Sequence, residues 1–512
     1  MRFSKISTAQ NHMLSAHLIS VETDISRGLH SFSIVGLPNK AVEEARDRVS
    51  AAIKNSGFKS PKQTNAKIVV SLAPSDIRKE GSAFDLPIAL GYLLAAGETE
   101  FEAANRLFVG ELSLDGAVRS VDGVLAYARM AQERGFREIY VPKENEREAA
   151  LIDGLNVYGL STLSELIGHL AGQSPIAKTP HTDHTKLSKI VTGIDLDDIA
   201  GQESAKRGLV IAAAGRHNIG LFGPPGTGKT MLARALLSIM PEPSFEDMLE
   251  ATEIHSIAGA LDGPFLTNPP VRAPHHTISY TAFIGGGSVP RPGEITLAHR
   301  GILFLDEFPE FEKRAIEALR QPLEDRVISV SRTRGSARFP ADFILVAALN
   351  PCPCGNKGIH GKECRCSPAI IKSYEKRISG PIIDRIDMWI EVSQVEHEKL
   401  MRARNGSVET EKAKSAVDIA RKAQMERFKE SDGKISSNGS ISARDLPKLA
   451  AISSEATTIL NEAALVYDMS ARGYHRTVKL ARTIADLASA ENIEAPHVLE
   501  ALQYRQRRLA EY

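Results

Sequence analysis

An octapeptide, GPPGTGKT at residues 223–230, constrains the fold of this chain more than any other feature of its sequence. It matches the pattern GxxxxGK[ST], with the apolar run IGLF before it and the helical run MLARALLSIM after it. A strand, a glycine-rich turn and a helix in this order point backbone amides and a helix N-terminus at phosphate groups. Further apolar strands, separated by helices, predict a parallel sheet around this loop.

The side chains of the octapeptide suit a nucleoside triphosphate. Its glycines let the backbone curl, Lys229 can reach the β and γ oxygens, and Thr230 offers a hydroxyl to magnesium. A turn that binds nothing has no need of the Lys-Thr pair. We therefore predict ATP and Mg²⁺ as cofactors, bound by Gly223, Pro224, Pro225, Gly226, Thr227, Gly228, Lys229 and Thr230.

Two other apolar runs end in polar residues that suit hydrolysis. GILFLDEF contains Asp306 and Glu307 at the end of a predicted strand. We expect Asp306 to face the magnesium beside Thr230 and Glu307 to face the attacking water, because two acids are otherwise costly at the end of a buried strand. FILVAALN ends in Asn350, which can help to orient that water, although an asparagine before a proline is also a common turn former.

Length and periodicity divide the chain into three domains. At roughly 150 residues per domain, 512 residues are enough for three. Residues 1–172 alternate β-branched and helical runs, residues 173–193 resemble a linker, residues 194–395 carry the apolar strands of the phosphate-binding core, and residues 396–512 are helical. The strand candidates of the first domain are 68–72, 106–112 and 138–142, and the helix candidates of the last are 411–429, 446–467, 477–490 and 496–506.

Charge and apolar content exclude some functions. Lys plus Arg and Asp plus Glu both total 63, so bulk charge cannot drive binding to nucleic acid or membranes, and any such binding is local. The longest apolar run, residues 86–96, is far shorter than the roughly 20 residues of a membrane span, and the N-terminus lacks the apolar stretch of a secretion signal. We expect a cytoplasmic protein without a membrane partner.

All four cysteines lie in one short segment. Cys352, Cys354, Cys364 and Cys366 form two CxC pairs, a distribution typical of a local metal site rather than of a disulfide framework. Four thiolates can bind zinc tetrahedrally, and His360 could replace one of them. The one-residue gap is tighter than usual, so free cysteines around a loop remain the alternative.

Basic residues concentrate at two places. Arg332, Arg334 and Arg338 flank a predicted hairpin tip in VISVSRTRGSARF, which suits contact with DNA phosphates, whereas a solvated loop is the alternative. Arg472, Arg476, Lys479 and Arg482 form one stripe on a C-terminal helix that suits nucleotide sensing, DNA or a solvated face. His275 and His276 are expected to be loop or substrate contacts rather than metal ligands.

The sequence resembles the AAA+ ATPases, and more narrowly their magnesium-chelatase-like branch that includes the ComM and YifB proteins. Five segments carry the likeness: IAGQESAKRGLVIAAAGRHNIGLFGPPGTGKT, RAPHHTISYTAFIGGGSVPRPGEITLAHRGILFLDEFPEF, FPADFILVAALNPCPCG, SGPIIDRID and SARGYHRTVKLARTIADL. The likeness implies a homo-oligomeric ring, a hexamer, with ATP between subunits. It also implies that Ile199 contacts the nucleotide and that Arg385 is an arginine finger for the neighbouring subunit. Arg472 would be the sensor of its own γ-phosphate, with Arg476 as its competitor.

The N-terminal domain resembles the protease domain of Lon in KEGSAFDLPIAL and FVGELSLDGAVRSVDGVLAYARMAQERGFREIYVPKEN. That family uses a serine and a lysine as a catalytic dyad. Ala83 stands at the serine position and Leu125 at the lysine position, while the adjacent Ser82 has no base. We expect a platform for assembly or DNA binding without proteolytic activity.

Two functions remain open. The resemblance implies a DNA motor that uses ATP to drive branch migration or unwinding of branched or single-stranded recombination intermediates, as in natural transformation. The alternative is a chelatase-type or chaperone-type ATPase that remodels a protein partner. The arginine hairpin favours the first.

Overall fold

The computed structural model of the chain describes residues 3–186, 193–287, 290–332, 335–357, 362–395, 408–429 and 435–505, with the backbone alone at residues 332 and 335. The chain forms two compact units. The first comprises Met1–Ser188 and Met248–Thr267, and the second Lys189–Asp247 and Asn268–Tyr512. Within the described ranges, no helix is both long and apolar enough to cross a membrane.

The first unit is built on a mixed sheet of seven strands in the order β3-β4-β2-β1-β5-β8-β9. Strands β1/β2 and β2/β4 pair antiparallel, and the other neighbours pair parallel. A small ribbon, β6-β7, stands apart from the sheet. The strands of this unit are β1 Phe3–His12, β2 Ser15–Arg27, β3 Ser31–Val35, β4 Ala66–Ala73, β5 Arg106–Phe108, β6 Glu111–Leu112, β7 Val118–Arg119, β8 Glu138–Pro142 and β9 Asn156–Leu160.

Five helices of the first unit are α1 Lys40–Asn55, α2 Asp85–Ala96, α3 Val124–Glu133, α4 Glu146–Ala149 and α5 Leu163–Leu170. Helix α1 begins where the Asn39 side chain accepts a hydrogen bond from Val42 N, and it buries an apolar face along its length. Helix α2 is buried on nearly all sides and ends at Gly97, whose left-handed backbone (φ 77°) closes the last turn. These helices and the sheet share one core.

The second unit contains a sheet of five parallel strands in the order β11-β14-β17-β10-β18. Because all five run in the same direction, their carboxyl ends meet at one edge, where polar side chains of β10, β14 and β17 can converge. Two ribbons, β12-β13 and β15-β16, complete the strands. The strands are β10 Ile219–Phe222, β11 Val271–Arg272, β12 Gly285–Gly286, β13 Arg291–Pro292, β14 Ile302–Leu305, β15 Val327–Arg332, β16 Gly335–Pro340, β17 Ile344–Leu349 and β18 Met388–Glu391.

The first of the following helices lie around this sheet. The last ones form a helical C-terminal part, which shares one hydrophobic core with the sheet. They are α6 Glu203–Gly215, α7 Lys229–Ala235, α8 Phe245–Ile257, α9 Tyr280–Ile284, α10 Glu294–Leu297, α11 Lys313–Ala318, α12 Arg320–Asp325, α13 Pro368–Glu375, α14 Gly380–Ile383, α15 Glu409–Phe428, α16 Leu446–Leu449, α17 Ser454–Val466, α18 Ala471–Leu487 and α19 Ala495–Gln503. Helix α8 begins in the second unit and ends in the first.

The predicted fold class is confirmed: an α/β first unit, a parallel-sheet core and a helical C-terminal region. Two elements differ from the prediction. The run 106–112 splits into β5 and β6, because Gly110 N turns to bond Ala83 O. The run 446–467 splits into α16 and α17, because Ser453 caps a new helix by accepting from Ala456 N. Residues 248–267, inside the predicted 194–395 domain, fold with the first unit, and the division into three domains stays a prediction.

Candidate active site

The phosphate loop connects the carboxyl end of β10 to the first residue of α7, as the octapeptide predicts. Gly226 and Gly228 adopt left-handed backbone angles (φ 79° and 91°) that favour glycine. Gly223 lies against Val392, the residue that follows β18, and a Cβ at residue 223 would approach Val392 O to 2.1 Å. The loop therefore has the tight curvature that turns backbone amides toward an anion.

Lys229 and Asn350 meet inside this loop. The buried Lys229 ammonium donates to Gly223 O and Pro224 O at 2.7 Å each and to Asn350 Oδ1 at 3.1 Å. Burial lowers the pKa of Lys229, while the charge of Asp306 opposes that shift. The end of β17 thus places Asn350 beside the lysine that would contact the phosphates.

Thr230 and Asp306 form the candidate magnesium site. The Thr230 hydroxyl donates to Asp306 Oδ2 at 2.9 Å, and Asp306 directly follows β14. A hydroxyl and a carboxylate converging beside a phosphate loop are hard oxygen donors, which is the set that Mg²⁺ takes together with phosphate oxygens and water. These two residues fit the predicted ion.

Glu307 has a restrained position that the sequence did not predict. Its backbone is left-handed (φ 49°), and its carboxylate pairs with His276 Nδ1 at 3.1 Å. The His276 ring lies 4.1 Å from the ring of His275. The loop that carries both histidines is thereby connected to the acid that we expect to face the attacking water.

A cavity of about 460 Å³ lies beside the loop. Ile199 lines it together with Met231, Gln394 and Val395, and the phosphate-loop residues 226–228 form its other wall. Apolar side chains next to backbone amides suit a nucleobase and sugar. The structure thus brings Ile199 to the phosphate loop, and its contact with the nucleotide stays a prediction.

Arg385 and Arg472 lie together at a different place. Arg385 Nη2 pairs with Glu324 Oε2, and Arg472 Nη2 donates to Glu324 Oε1 at 2.6 Å. Arg385 lies three residues before β18, at the amino ends of the strands, whereas the phosphate loop follows the carboxyl end of β10. Arg476 donates to Ile386 O at 3.0 Å in the same region. The structure joins the predicted finger and sensor to each other and not to the phosphate loop.

The four cysteines converge as predicted. Their sulfur atoms lie within 4.8 Å of one another, and three of the separations are 3.4, 3.7 and 3.7 Å. Tetrahedral zinc with Zn–S bonds of about 2.3 Å would place sulfurs about 3.8 Å apart. Backbone hydrogen bonding at Asn356 and the Cys352 thiol lower the pKa of Cys354 to about 6, which favours the thiolate. The donor set fits zinc, and His360 lies outside the described residues.

The predicted arginine hairpin is present as β15-β16, paired antiparallel from Val327 with Pro340 to Arg332 with Gly335. Arg338 is exposed on β16. Arg334 and the side chain of Arg332 lie outside the described part of the chain. The position of Arg338 is consistent with contact to an external partner.

The Lon-like positions hold no dyad. Ala83 O accepts from Gly110 N, the buried Leu125 N donates to Glu148 Oε1 at 2.9 Å, and the Ser82 hydroxyl donates to Glu111. Neither Ala83 nor Leu125 offers a nucleophile or a base. The absence of proteolytic activity in this domain stays a prediction.

A phosphate loop on an inner strand of a five-stranded parallel sheet, with Asp306, Glu307 and Asn350 at the ends of neighbouring strands, defines an AAA+ ATPase. The chain is 41% identical over 498 residues to competence protein ComM of Haemophilus influenzae, covering 96% of this chain and 95% of ComM. It is also 41% identical over 510 residues to the uncharacterized protein YifB of Escherichia coli K12, covering 99% and 97%. The chain belongs to the magnesium-chelatase-like ComM/YifB family.

Matches to family models agree with this assignment. Residues 195–400 match "Magnesium chelatase, subunit ChlI", residues 21–145 match "Subunit ChlI of Mg-chelatase", and residues 407–505 match "Magnesium chelatase, subunit ChlI C-terminal". Lon protease 2 of Bacillus subtilis is 27% identical over 213 residues, covering 37% of this chain and 38% of the protease. The likeness to Lon that the sequence suggested is thus found independently.

Sequence reasoning missed two partners of the site. His276 was expected in a substrate-facing loop but not beside Glu307, and Glu324 was not considered. The doublet of histidines before the Asp-Glu strand was a usable signal for the first. The second had no such signal, because Glu324 stands in no motif and its partner Arg472 is 148 residues away.

Proposed function

We propose that the protein is a ring-forming DNA motor, a hexamer that uses ATP hydrolysis to drive branch migration or unwinding of recombination intermediates. The observation that carries the proposal is the position of Arg385. It lies at the amino ends of the strands, whereas β10 alone extends about 13 Å toward the phosphate loop at 3.3 Å per residue. A finger on that edge would serve the nucleotide of a neighbouring subunit.

In this proposal each residue of the site has one task. Lys229 and the loop amides would bind the phosphates, Thr230 and Asp306 would hold magnesium, and Glu307 with Asn350 would orient the attacking water. When bound, magnesium would neutralise phosphate charge. Arg385 of the adjacent subunit would stabilise the charge that develops in the transition state.

A role for Arg472 follows from the same geometry. Since it shares Glu324 with Arg385, we propose that it too acts on the neighbour's nucleotide. The contact with its own γ-phosphate, implied by the family resemblance, is the other possibility. The ion pairs with Glu324 hold both guanidiniums at one place, so that they would approach the same phosphate groups.

DNA is the proposed substrate because of the hairpin and the family. The exposed Arg338 on β16, with Arg332 and Arg334 close to it in the sequence, suits contact with phosphates, and the relative in Haemophilus influenzae is named a competence protein. We propose the cytoplasm as the location. Zinc in the cysteine cluster would brace the segment after Asn350.

The decisive experiment measures ATPase with and without a four-way junction, together with junction migration. The variant Arg332→Ala/Arg334→Ala/Arg338→Ala should retain DNA-free ATPase but lose stimulation and migration together. The slope of log affinity against log salt should fall by about 0.7 to 0.9 for each lost phosphate contact. The matched control removes three exposed lysines of the C-terminal helices, Lys412, Lys422 and Lys448, and should behave as wild type.

Failure of the wild-type protein to bind any DNA at low salt would overturn the proposal and favour remodelling of a protein partner. Unchanged junction binding in the triple arginine variant would move the DNA contact away from the hairpin.

A further inference from the structure

Asn218 lies at the start of β10, at the end opposite to the phosphate loop, and it bonds to two other elements of the second unit. Its Nδ2 donates to Arg385 O at 3.3 Å, and its backbone N–H donates to Asp387 Oδ2 at 2.8 Å. Its Oδ1 accepts from Leu345 N at 2.9 Å. One amide thus connects the Arg385 segment to strand β17, which Asn350 directly follows.

The backbone of Asn218 completes this connection. Its carbonyl oxygen accepts from Asp387 N at 3.0 Å and from Met388 N at 3.1 Å, just before β10 and β18 begin to pair. These bonds fix the register of β18 against β10, and with it the position of the Arg385 segment. Because β10 continues directly into the phosphate loop, the two functional ends are joined by four residues of regular strand.

The two side-chain contacts of Asn218 require an amide. Asparagine offers a carbonyl acceptor for Leu345 N and an NH₂ donor for Arg385 O at the same time. Aspartate would keep the acceptor, lose the donor and add a charge beside Asp387. Alanine would lose both contacts.

The neighbouring His217 extends the connection to the sensor helix. Its ring is fully buried, with Nε2 2.8 Å from Thr483 Oγ1 on α18 and Nδ1 3.8 Å from Asp387 Oδ2. Helix α18 also carries Arg472. The dipeptide His217-Asn218 therefore contacts the segments that present both arginines.

We propose that Asn218 is a positioning residue for hydrolysis in the adjacent subunit, because it fixes the Arg385 segment to the strand of its own phosphate loop. The inference rests on the proposed ring function. Asn218 lies at the end of β10 opposite to the phosphate loop and contacts Arg385 O, so it would act through Arg385. Its loss should impair the neighbour's site and leave nucleotide binding at its own site intact.

Mixed assemblies test this directly. The variant Asn218→Ala should bind ATP within about twofold of wild type, while its DNA-free ATPase rate falls roughly 10-fold to 100-fold, as expected for a displaced catalytic group. The variant Lys229→Ala lacks its own phosphate contact but keeps an intact Arg385. When the two are mixed, Lys229→Ala subunits should present their fingers to Asn218→Ala neighbours, and activity should exceed that of either variant alone.

The control pair is Arg385→Ala with Lys229→Ala. If this pair fails to complement, the ring function itself is overturned, and the inference with it. If it complements and the Asn218→Ala pair does not, Asn218 has only a structural role in its own subunit and the inference alone is overturned.

A double-variant comparison gives an independent readout. Asn218→Ala/Arg385→Ala should be no slower than Arg385→Ala, because both changes remove the same contribution. Asn438→Ala, at a buried asparagine whose side chain contacts Thr483 and Asp486 and not Arg385, is the matched control. If the rate losses of Asn218→Ala and Arg385→Ala multiply in the double variant, the proposal is contradicted.

Discussion

Gly355 lies directly against Pro225 of the phosphate loop. A Cβ at residue 355 would come within 2.5 Å of Pro225 Cγ, and Gly355 has a left-handed backbone (φ 75°) held by a bond from its N–H to Cys352 O at 2.9 Å. The turn that carries the first cysteine pair therefore packs on the loop that would bind the phosphates. We therefore expect the state of the cysteine cluster to affect nucleotide binding.

Replacement of Cys352 and Cys354 by serine should remove one zinc per chain and weaken ATP binding, because the turn that supports Pro225 loses its anchor. Metal analysis and titration with a fluorescent ATP analogue measure the two effects. Replacement of Cys354 alone, the more exposed thiol, by serine should cause a smaller loss of zinc and a smaller loss of ATP affinity. Purified wild-type protein without zinc would favour free thiols instead.

Lys229→Ala and Glu307→Gln should separate binding from hydrolysis. The first removes a phosphate contact and should abolish tight ATP binding, whereas the second keeps that contact and should trap ATP because it removes the water-positioning carboxylate. Nucleotide retention after gel filtration distinguishes them. Turnover by Glu307→Gln near the wild-type rate would contradict the assignment of Glu307 as the water-positioning residue.

Arg385→Ala should lose activity without losing nucleotide affinity. A finger stabilises charge only in the transition state and is worth roughly 10³ to 10⁵ in rate where measured. The steady-state ATPase rate of Arg385→Ala should therefore fall, while its nucleotide affinity at equilibrium should equal that of wild type. In mixtures with Glu307→Gln, the rate should depart from the sum expected of independent subunits; an additive rate would exclude Arg385.

Arg472→Ala distinguishes the two positions for the sensor. If Arg472 acts on the neighbour's nucleotide, mixing Arg472→Ala with Lys229→Ala should restore ATPase. If it acts on its own γ-phosphate, the mixture should stay inactive. Arg476→Ala serves as the comparison, since Arg476 binds Ile386 O and lies in the same region.

Asp342 should make the second unit sensitive to acid. Burial raises its pKa, but Arg216, Arg326 and Arg300 outweigh that effect and hold the pKa at about 2. Its stabilising contribution is present above the unfolded pKa of about 3.9 and is lost as pH falls toward 2, for a total on the order of 2 to 3 kcal/mol.

Thermal unfolding between pH 5 and pH 2 tests this. Asp342→Asn should unfold at a lower temperature at pH 5 and show less further loss at low pH. Glu411→Gln, at an exposed carboxylate of α15, is the control. Parallel pH profiles for wild type and Asp342→Asn would contradict the assignment.

The local part of the site was predictable because it is encoded in contiguous residues. A strand, the octapeptide and a helix fix Lys229 and Thr230, and the ends of two apolar strands fix Asp306 and Asn350. Parallel strands then bring those ends to one edge without further information. The same logic predicts the convergence of four cysteines within 15 residues.

The remaining contacts depend on how distant segments pack. The pairing of Arg472 with Glu324 follows from the position of α18 beside α12, and no periodicity in either helix indicates it. The same holds for Asn218 and Arg385, which are 167 residues apart. Sequence likeness supplied the identity of the arginines but not the end of the sheet at which they meet.

The discontinuous course of the chain has a consequence for its synthesis on the ribosome. Arg129 of α3 pairs with Glu253 at 3.1 Å, and the buried Glu148 accepts from Ser256, so the first unit lacks two of its partners until residues 248–267 have emerged. By then β10 and the phosphate loop have also emerged, but β14 and β17 have not. A nascent chain thus carries the phosphate loop before the sheet that supports it, and neither unit is complete in the residues that precede position 248.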